Sequence, residues 1–304
     1  MDVLAKPDVA LCGMYPILTT PFHEDEPFDI PSLKKLIDYL VGEGIDGVVT
    51  LANASEAHLM SDAEKERLVA EVIRLVDGRI PTVISVTHFS SRIAAEKAAR
   101  AEKEGAAAVL TLPPFFGRWR SNVKTIKEYL LRISESVSIP IMLQDHPLSD
   151  ITLSPADLCE LITDVPGLDY LKMEVDTSAA KVGNVLACVP ETFQGIFTGM
   201  AGVRLFWELE AGAVGCMPAC VPAKPLAEII HLHWQGKRDE SFDLFQKWLP
   251  FLAFLLRIGR RDIVKEYLVK KGVITSPKLR EPNITAWNDW ARSQYEYLLE
   301  RIES

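Results

Sequence analysis

Apolar and polar positions alternate along this chain as short apolar runs followed by longer amphipathic segments, in close to eight cycles between Gly13 and about residue 236. The apolar runs are, in order, GMYPILTTPF, DGVVTL, IPTVISV, AAAVLTLPPFF, IPIMLQDHP, LDYLK, FQGIF and AVGCMP. Several are apolar at consecutive positions, which is typical of strands buried on both faces of a parallel sheet. The pattern therefore predicts repeated β/α units, with helices covering the sheet.

The amphipathic segments predict one helix after each run. They begin at or near residues 31, 61, 90, 122, 154, 177, 201 and 222. In the second of them, Ser61 and Glu64 have the spacing of a capping box. Eight units in about 220 residues favour a closed (β/α)8 TIM barrel, a fold that typically needs about 250 residues. The alternative is an open doubly wound α/β sheet, but no GxGxxG motif follows any run to support a dinucleotide site.

After Gly236 the pattern is helical only, with predicted helices at 239–258, 262–271 and 287–302. No linker rich in Pro, Gly or Ser separates these helices from the β/α units. We therefore expect a barrel catalytic domain at residues 1–236 and a C-terminal helical extension at residues 237–304 that packs on it.

Composition narrows the possible partners. The 304 residues are 48% hydrophobic and 25% charged, as in an ordinary globular protein. The formal net charge of -9 argues against a nucleic acid or an anionic membrane as the partner, so we expect small molecules instead. No apolar run approaches the ~18 residues that a membrane span needs, and the first ten residues lack the apolar core of a signal peptide. These features predict a cytoplasmic protein.

The cysteines predict neither a zinc site nor a disulfide framework. There are five of them, an odd number at wide spacings: Cys12, Cys159, Cys188, Cys216 and Cys220. The CxxxC pair formed by the last two has no second half to complete a zinc site. We therefore expect reduced cysteines in the core.

The segment LDYLKMEVDT, residues 168–177, carries the strongest chemical signal. It begins as a buried strand and places Lys172 at the strand end, with Glu174 two residues later. Side chains two apart on a strand point to the same side, so the amine and the carboxylate would share one pocket. A desolvated lysine can attack a ketone to form a Schiff base, and an adjacent carboxylate can then move protons. The alternative is an ion pair at the protein surface.

Other polar residues also follow the predicted strands, at the end of a barrel where active sites lie. They are Asn53, Ser55 and Glu56 after the second strand, Thr87 and His88 after the third, Gln144, Asp145 and His146 after the fifth, and Thr198 and Gly199 after the seventh. His88 and His146 with either Asp145 or Glu56 could form a two-histidine, one-carboxylate metal site. No pair of these ligands has the i, i+4 spacing of a helix, so we expect no metal.

The order of several motifs resembles the dihydrodipicolinate synthase and N-acetylneuraminate lyase superfamily. The motifs are PILTTPF, ANASEA, PPFF, QDHP, LKMEV, FTG, KEYLVKKG and LREP, and they cover the chain from Gly13 to Pro282. The resemblance implies a (β/α)8 barrel with a C-terminal helical part and a homo-oligomer, usually a tetramer. It also implies a Schiff base between a 2-keto acid and the lysine of the sixth strand, which Lys172 matches.

Three departures from the family pattern indicate which reaction to expect. Gln144 stands where members that make or break C–C bonds carry the tyrosine of a YNxP motif, and an amide cannot take a proton from a hydroxyl. The arginine that follows that motif in dihydrodipicolinate synthase is absent, with Ser149 near its place. The GTTGE turn that holds the substrate carboxylate in the family is Ala52 to Glu56 here, so its grip would depend on backbone N–H groups and on Asn53 and Ser55.

These departures resemble the branch of the superfamily that dehydrates 2-keto-3-deoxy sugar acids, including L-2-keto-3-deoxyarabonate. In that interpretation Lys172 is the nucleophile, Glu174 is the acid and base, and no metal or organic cofactor is needed. The expected substrate-binding residues are Asn53, Ala54, Ser55, His88, Gln144, Thr198 and Gly199. Two alternatives stay open: a retro-aldolase that releases pyruvate, and a non-catalytic barrel that binds a keto acid.

Overall fold

Eight parallel strands form the centre of the protein. The computed structural model describes residues 5–114, 121–149, 151–282 and 287–303. The strands are β1 (Gly13–Met14), β2 (Val48–Thr50), β3 (Thr82–Ser85), β4 (Ala108–Thr111), β5 (Ile141–Asp145), β6 (Leu168–Met173), β7 (Gly195–Thr198) and β8 (Gly215–Cys216). Their order in the sheet is β1-β8-β7-β6-β5-β4-β3-β2, so each strand lies beside its neighbour in the chain and β8 returns to β1.

The sheet closes on itself between its first and last strands. Ile17, three residues after β1, forms a parallel bridge with Val49 of β2. On this seam the N–H of Leu18 donates to the carbonyl of Val49 over 2.8 Å. The closed circle of parallel strands confirms the predicted TIM barrel.

One helix follows each strand and covers the outside of the barrel. The helices are α1 (Ile30–Gly42), α2 (Asp62–Val76), α3 (Ser91–Glu104), α4 (Val123–Ser134), α5 (Pro155–Asp164), α6 (Ser178–Leu186), α7 (Leu205–Glu210) and α8 (Ala223–Trp234). The capping box of Ser61 and Glu64 is present at the start of α2, as predicted. Helix α7 begins four residues later than predicted, because the chain first forms a short 3₁₀ turn at Met200–Gly202.

The barrel interior is filled by large side chains below the strand ends. Tyr170 and Phe197 are fully buried, with ring centroids 5.9 Å apart, and Tyr15 packs edge-on against Phe197 at 5.2 Å. Lys172 is paired with Phe197 across β6 and β7, so its side chain belongs to the same inward face, one layer above Tyr170. The interior is therefore a packed core, and the open space lies at the carboxyl ends of the strands.

The chain after α8 is helical. It forms α9 (Arg238–Phe254), a π-helical turn at Leu255–Gly259, α10 (Arg260–Lys270) and α11 (Asp289–Glu303). The predicted helix at 239–258 is interrupted at its end, where Arg260 has a left-handed φ of 43°. Buried residues of α9, α10 and α11 share one hydrophobic core with residues of the barrel. The 3₁₀ turn at Met200–Gly202 contacts both α9 and the π-helical turn.

One prediction about the cysteines is wrong. Cys159 of α5 and Cys188, just after α6, form a disulfide, with their Cα atoms 6.1 Å apart. The two cysteines are 29 residues apart, and that spacing gives no sign that they pair. They come together because the helices of neighbouring units lie side by side on the barrel. Cys12, Cys216 and Cys220 are free and buried, as expected.

The structure bears on the absence of a membrane span and on the PPFF motif as follows. Within the ranges given above, no helix is both long and apolar enough to cross a membrane. The aromatic pair Phe115 and Phe116 of the PPFF motif lies outside the described residues.

Candidate active site

Lys172 and Glu174 form a buried ion pair at the end of β6. The Lys172 Nζ lies 3.0 Å from Glu174 Oε2, and only 1% of the lysine and 6% of the glutamate are exposed. Strand β6 ends at Met173, but the Glu174 N–H still donates to the carbonyl of Asp145 over 2.8 Å and continues the ladder. Both side chains therefore face the barrel mouth. The alternative of a surface ion pair is wrong, because the pair is buried.

Three neighbours hold the Glu174 carboxylate in place. The Gln144 Nε2 donates to Glu174 Oε2, and the Met200 N–H donates to Oε1 over 2.9 Å. Gly199 lies so close that a Cβ built on it would clash with Oε1. Met200 and Ala201 have left-handed φ angles of 49° and 58°, a strained backbone of the kind that clusters at functional sites. The loop after β7 is thus shaped around this carboxylate.

The electrostatic surroundings keep Glu174 ionised. Burial alone would raise its pKa, but the Lys172 ammonium, His146 and the Met200 N–H together hold the pKa below its ordinary value. His146 is half-buried, and burial lowers its pKa. At neutral pH Glu174 is therefore a carboxylate within reach of the lysine, in the form that a base requires.

The segment predicted to grip the substrate carboxylate is a 3₁₀ turn, Asn53–Ser55. Ser55 is fully buried and its hydroxyl donates to the carbonyl of Leu18 over 2.7 Å, so this hydroxyl proton is already engaged. Thr20 donates in turn to the carbonyl of Ser55 over 2.8 Å. Asn53 and Ala54 begin the turn, where backbone N–H groups have no partner inside the helix. Within the described ranges neither N–H group donates to a backbone carbonyl, and the Asn53 side chain is exposed.

Only some of the remaining predicted binding residues lie beside Lys172 or Glu174. Gln144 pairs with Lys172 across β5 and β6 and is 3% exposed, so it lies directly beside the lysine. His88 is half-buried at the start of α3, where its Nδ1 accepts the Ser90 N–H over 2.9 Å. Thr198 pairs with Met173 and lies on the face of β7 turned away from Lys172. The structure thus brings Gln144 beside Lys172 and Gly199 beside Glu174, but it turns the Thr198 hydroxyl away.

Sequence reasoning missed two buried networks behind the site. Lys181 of α6 lies 2.5 Å from Asp145 Oδ2 and also donates to the Leu153 carbonyl, which ties the loop after β5 to α6. Arg204 donates to the Val175 carbonyl and to the Ser178 hydroxyl, each over 2.8 Å, and so holds the segment that follows Glu174. Both cations lie in predicted helical segments or at their ends, where charged residues are ordinary, so the sequence carried no signal for them.

An open cleft of about 210 Å³ connects to the site at Gln144. At the barrel mouth it is lined by Leu51, Asn53, Ser85, Thr87, Leu112 and Gln144. Its outer end runs between α2 and α3, among Lys65, Lys97 and Arg100. Lys172 and Glu174 do not line this cleft, and Gln144 is the residue that it shares with their surroundings.

Metal binding has no support in the geometry. Across the part of the chain that the structure describes, no three His, Cys, Asp or Glu side chains converge closely enough to hold a metal ion. Glu56 in particular is fully buried and engaged with Lys265 at 2.7 Å.

Comparison with known proteins places this barrel in a family. The sequence profile of the Dihydrodipicolinate synthetase family matches residues 10–301. The chain belongs to that family. The family comprises lyases that act through a lysine Schiff base, and a buried lysine at the end of β6 agrees with that chemistry.

Individual family members resemble the chain over most of its length. L-2-keto-3-deoxyarabonate dehydratase from Azospirillum brasilense is 30% identical over 271 residues, which cover 89% of this chain and 88% of the relative. A probable 2-dehydro-3-deoxy-D-pentonate aldolase from Escherichia coli is 27% identical over 166 residues, 54% of each chain. The crystal structure of dihydrodipicolinate synthase from Rhodopseudomonas palustris superposes with a TM-score of 0.88 at 26% identity, over 96% of this chain and 97% of that one.

Proposed function

We propose that this member of the family dehydrates a 2-keto-3-deoxy sugar acid, most simply L-2-keto-3-deoxyarabonate. The observation that carries the proposal is the buried Lys172–Glu174 pair, with Gln144 on the same carboxylate. The site has a nucleophile and one proton carrier, and it has a glutamine where a C–C lyase would need a group that titrates. The similarity to a dehydratase of this substrate over 89% of the chain supports the same interpretation.

The first stage joins the substrate to Lys172. The ammonium passes a proton to Glu174, 3.0 Å away, and the free amine attacks the C2 ketone to give a carbinolamine. Glu174 returns the proton to the carbinolamine oxygen, which leaves as water. The product is a protonated iminium, which withdraws electrons and acidifies the C3 protons, while Glu174 is again a carboxylate.

The second stage eliminates water across C3 and C4. Glu174 removes a C3 proton, which gives an enamine, and then donates that proton to the C4 hydroxyl as the enamine expels it. Its lowered pKa keeps Glu174 ionised at rest, which is the form that can accept the C3 proton. For the five-carbon substrate, one proton then moves from C5 to C3 and the proton of the C5 hydroxyl is replaced by a proton gained at C4, which gives the C5 aldehyde. Hydrolysis of the iminium yields the semialdehyde of 2-oxoglutarate and free Lys172.

The substrate carboxylate would bind at the turn Asn53–Ser55. The free N–H groups of Asn53 and Ala54 are suited to an anion, because hydrogen bonds to a charged acceptor are about twice as strong as neutral ones. The C4 and C5 hydroxyls would then extend past Gln144 into the cleft near Thr87 and Ser85.

Borohydride reduction with a panel of keto-deoxy acids tests this proposal. Reduction should add the mass of the ligand to the peptide that contains Lys172, and turnover should release 2-oxoglutarate semialdehyde without pyruvate. Labelling of a different lysine, or no dehydration of any acid in the panel, would refute the assignment.

Retro-aldol cleavage is the second candidate, because a probable 2-dehydro-3-deoxy-D-pentonate aldolase is 27% identical over about half of the chain. Cleavage needs a base for the C4 hydroxyl, and here that base would be Glu174 or a water beside Gln144. Release of pyruvate from the same panel would favour this reaction over dehydration.

The resemblance also leads us to propose a homo-oligomer, a tetramer in the usual family arrangement. Light scattering of the purified protein measures its mass directly. A mass near 33.9 kDa, that of one chain, would contradict the proposal.

A further inference from the structure

A second buried lysine–glutamate pair joins the C-terminal extension to the barrel mouth. Lys265 of α10 lies 2.7 Å from Glu56 Oε1, and both side chains are 0% exposed. Lys265 also donates to the Lys278 carbonyl over 2.5 Å and lies 4.5 Å from the centroid of the Phe22 ring. Glu56 is the residue that directly follows the turn Asn53–Ser55.

Arg280 completes the enclosure of Glu56. Its backbone N–H donates to Glu56 Oε2 over 2.9 Å, so each carboxylate oxygen faces a different group from the extension. The Arg280 guanidinium lies 4.5 Å from the Phe22 ring centroid and donates to the carbonyls of Leu59 and Glu26 over 3.1 and 3.0 Å. Phe22 is therefore in contact with two cations of the extension.

The backbone at Glu56 explains why such a hold is needed. Glu56 has φ 61° and ψ 24°, in the left-handed region that is unfavourable for a residue other than glycine. This conformation turns the chain directly after Ser55, the last residue of the turn that carries the Asn53 and Ala54 N–H groups. A strained residue of this kind persists only where its surroundings over-determine it. Lys265 and the Arg280 N–H supply that constraint from a distant part of the chain.

We propose that Lys265 and Arg280 are positioning residues for the binding of the substrate carboxylate, acting through Glu56 on the turn Asn53–Ser55. The inference rests on the proposed carboxylate role of that turn. Burial lowers the pKa of Lys265 to about 8, although Glu56 opposes this. The lysine thus remains mostly charged near pH 7, as the contact with Glu56 requires.

Trapping two carbonyl compounds on Lys172 tests the inference. Pyruvate carries the carboxylate, and hydroxyacetone offers a similar ketone without it. For each compound, the concentration that gives half-maximal borohydride labelling is measured on the wild type, on Lys265→Met, and on the double variant Lys265→Met with Glu56→Gln. The double variant removes both charges, so no unpaired charge stays buried if the single variant folds poorly.

We expect the half-saturating concentration of pyruvate to rise about 10- to 100-fold in Lys265→Met, the range lost with a hydrogen bond to a charged group. The value for hydroxyacetone should stay within about 2-fold, and the double variant should shift in the same sense. A general loss of structure would move both compounds together, so the pyruvate-to-hydroxyacetone ratio isolates the carboxylate. An unchanged ratio in a folded variant overturns the inference.

Arg79→Met is a matched control. Arg79 also joins a carboxylate, Asp38 at 2.8 Å, to the carbonyls of Val76 and Leu75, but it follows α2 at the opposite end of the barrel. The ratio of the half-saturating concentrations of pyruvate and hydroxyacetone in Arg79→Met should equal that of the wild type. A wild type that traps pyruvate but dehydrates no sugar acid would refute the proposed dehydratase while leaving this inference standing. A wild type that traps no carbonyl compound refutes both.

Discussion

Two buried lysine–glutamate pairs lie at the mouth of this barrel, and they differ in what else each lysine touches. Lys172 and Lys265 are 1% and 0% exposed, and their carboxylate partners lie 3.0 and 2.7 Å away. In the described ranges Lys172 has Glu174 as its acceptor and no second one. Lys265 has Glu56, the Lys278 carbonyl and an aromatic face. An ammonium has three donors, so the first lysine has capacity left and the second has almost none.

The comparison teaches that burial alone does not identify a nucleophile. Burial brings the pKa of Lys265 to about 8, a value that would suit a reactive amine, yet its surroundings are closed on every side that the structure describes. Lys172 faces the barrel mouth, beside Gln144 and the cleft. The unused donor capacity of Lys172 and its place beside Gln144 separate the reactive pair from the structural one, and the following predictions test that separation.

The largest effect should come from removing the first lysine. Lys172→Ala should lower kcat by about 10⁴-fold or more, as loss of a covalent nucleophile does in other enzymes. The fold should survive, because the packed core lies below the strand end. Turnover and circular dichroism measure the two effects. Labelling of Lys265 in place of Lys172 in the wild type would reverse the assignment of the two pairs.

Glu174→Gln should separate binding from elimination. Schiff-base formation should be slower but still reach completion on long incubation, because buffer and water can carry the protons that Glu174 relays in that stage. The kcat for dehydration should fall by about 10²- to 10⁴-fold, because positioned proton transfer contributes that much. Borohydride trapping and product formation are measured side by side, with Gln144→Ala as the comparison. If the true reaction were retro-aldol cleavage with proton transfer through a water beside Gln144, Gln144→Ala would lower kcat more than Glu174→Gln.

Stability should respond in the opposite order. Lys265→Met leaves Glu56 as an uncompensated buried charge, so its free energy of unfolding should fall by about 3–5 kcal/mol. Lys172→Met should cost less, because Glu174 keeps Gln144 and the Met200 N–H as donors. Denaturant unfolding at pH 7 measures both. Equal losses of unfolding free energy in the two variants would show that the two pairs do not differ in their contribution to stability.

The smallest effect concerns acid stability around the second pair. Arg280 lowers the pKa of Glu64 to about 2. Because the folded pKa is depressed, Glu64 contributes stability above its unfolded pKa, and this is lost as pH falls from about 4.5 toward 2. The side chain is 35% exposed, so the contribution is about 1 kcal/mol or less. Glu64→Gln should make the free energy of unfolding depend less on pH in that range. An unchanged pH dependence would show that other carboxylates cause the loss of stability.

The barrel and the reactive pair could be predicted from sequence because both depend on local order. Alternating apolar and amphipathic segments repeat in chain order, and in a (β/α)8 barrel chain order is also spatial order. Lys172 and Glu174 are two residues apart, so the period of a strand was enough to bring them together. The similarity of motifs then indicated the family that the profile match shows.

Features that depend on contacts between distant segments could not be predicted. Glu56 was treated as a possible metal ligand, but it meets Lys265 more than 200 residues later in the chain. The Cys159–Cys188 disulfide and the Lys181–Asp145 pair join neighbouring units through side-chain directions that no sequence pattern specifies. The Met200 N–H depends on the backbone turn Met200–Gly202, which begins one residue before the segment predicted as a helix and overlaps its start.

The seam of the barrel has a consequence for how the protein is made. Strands β1 and β2 meet through the Ile17–Val49 bridge, and Phe22 and Glu56, which follow these strands, are both held by Lys265 and Arg280. A chain emerging from the ribosome can pair its strands in order, from β2 onward, as each one appears. Lys265 and Arg280 are synthesised late in the chain. A nascent chain that stops before Lys265 therefore contains all eight strands but lacks the two residues that hold Glu56 and, through it, the turn Asn53–Ser55.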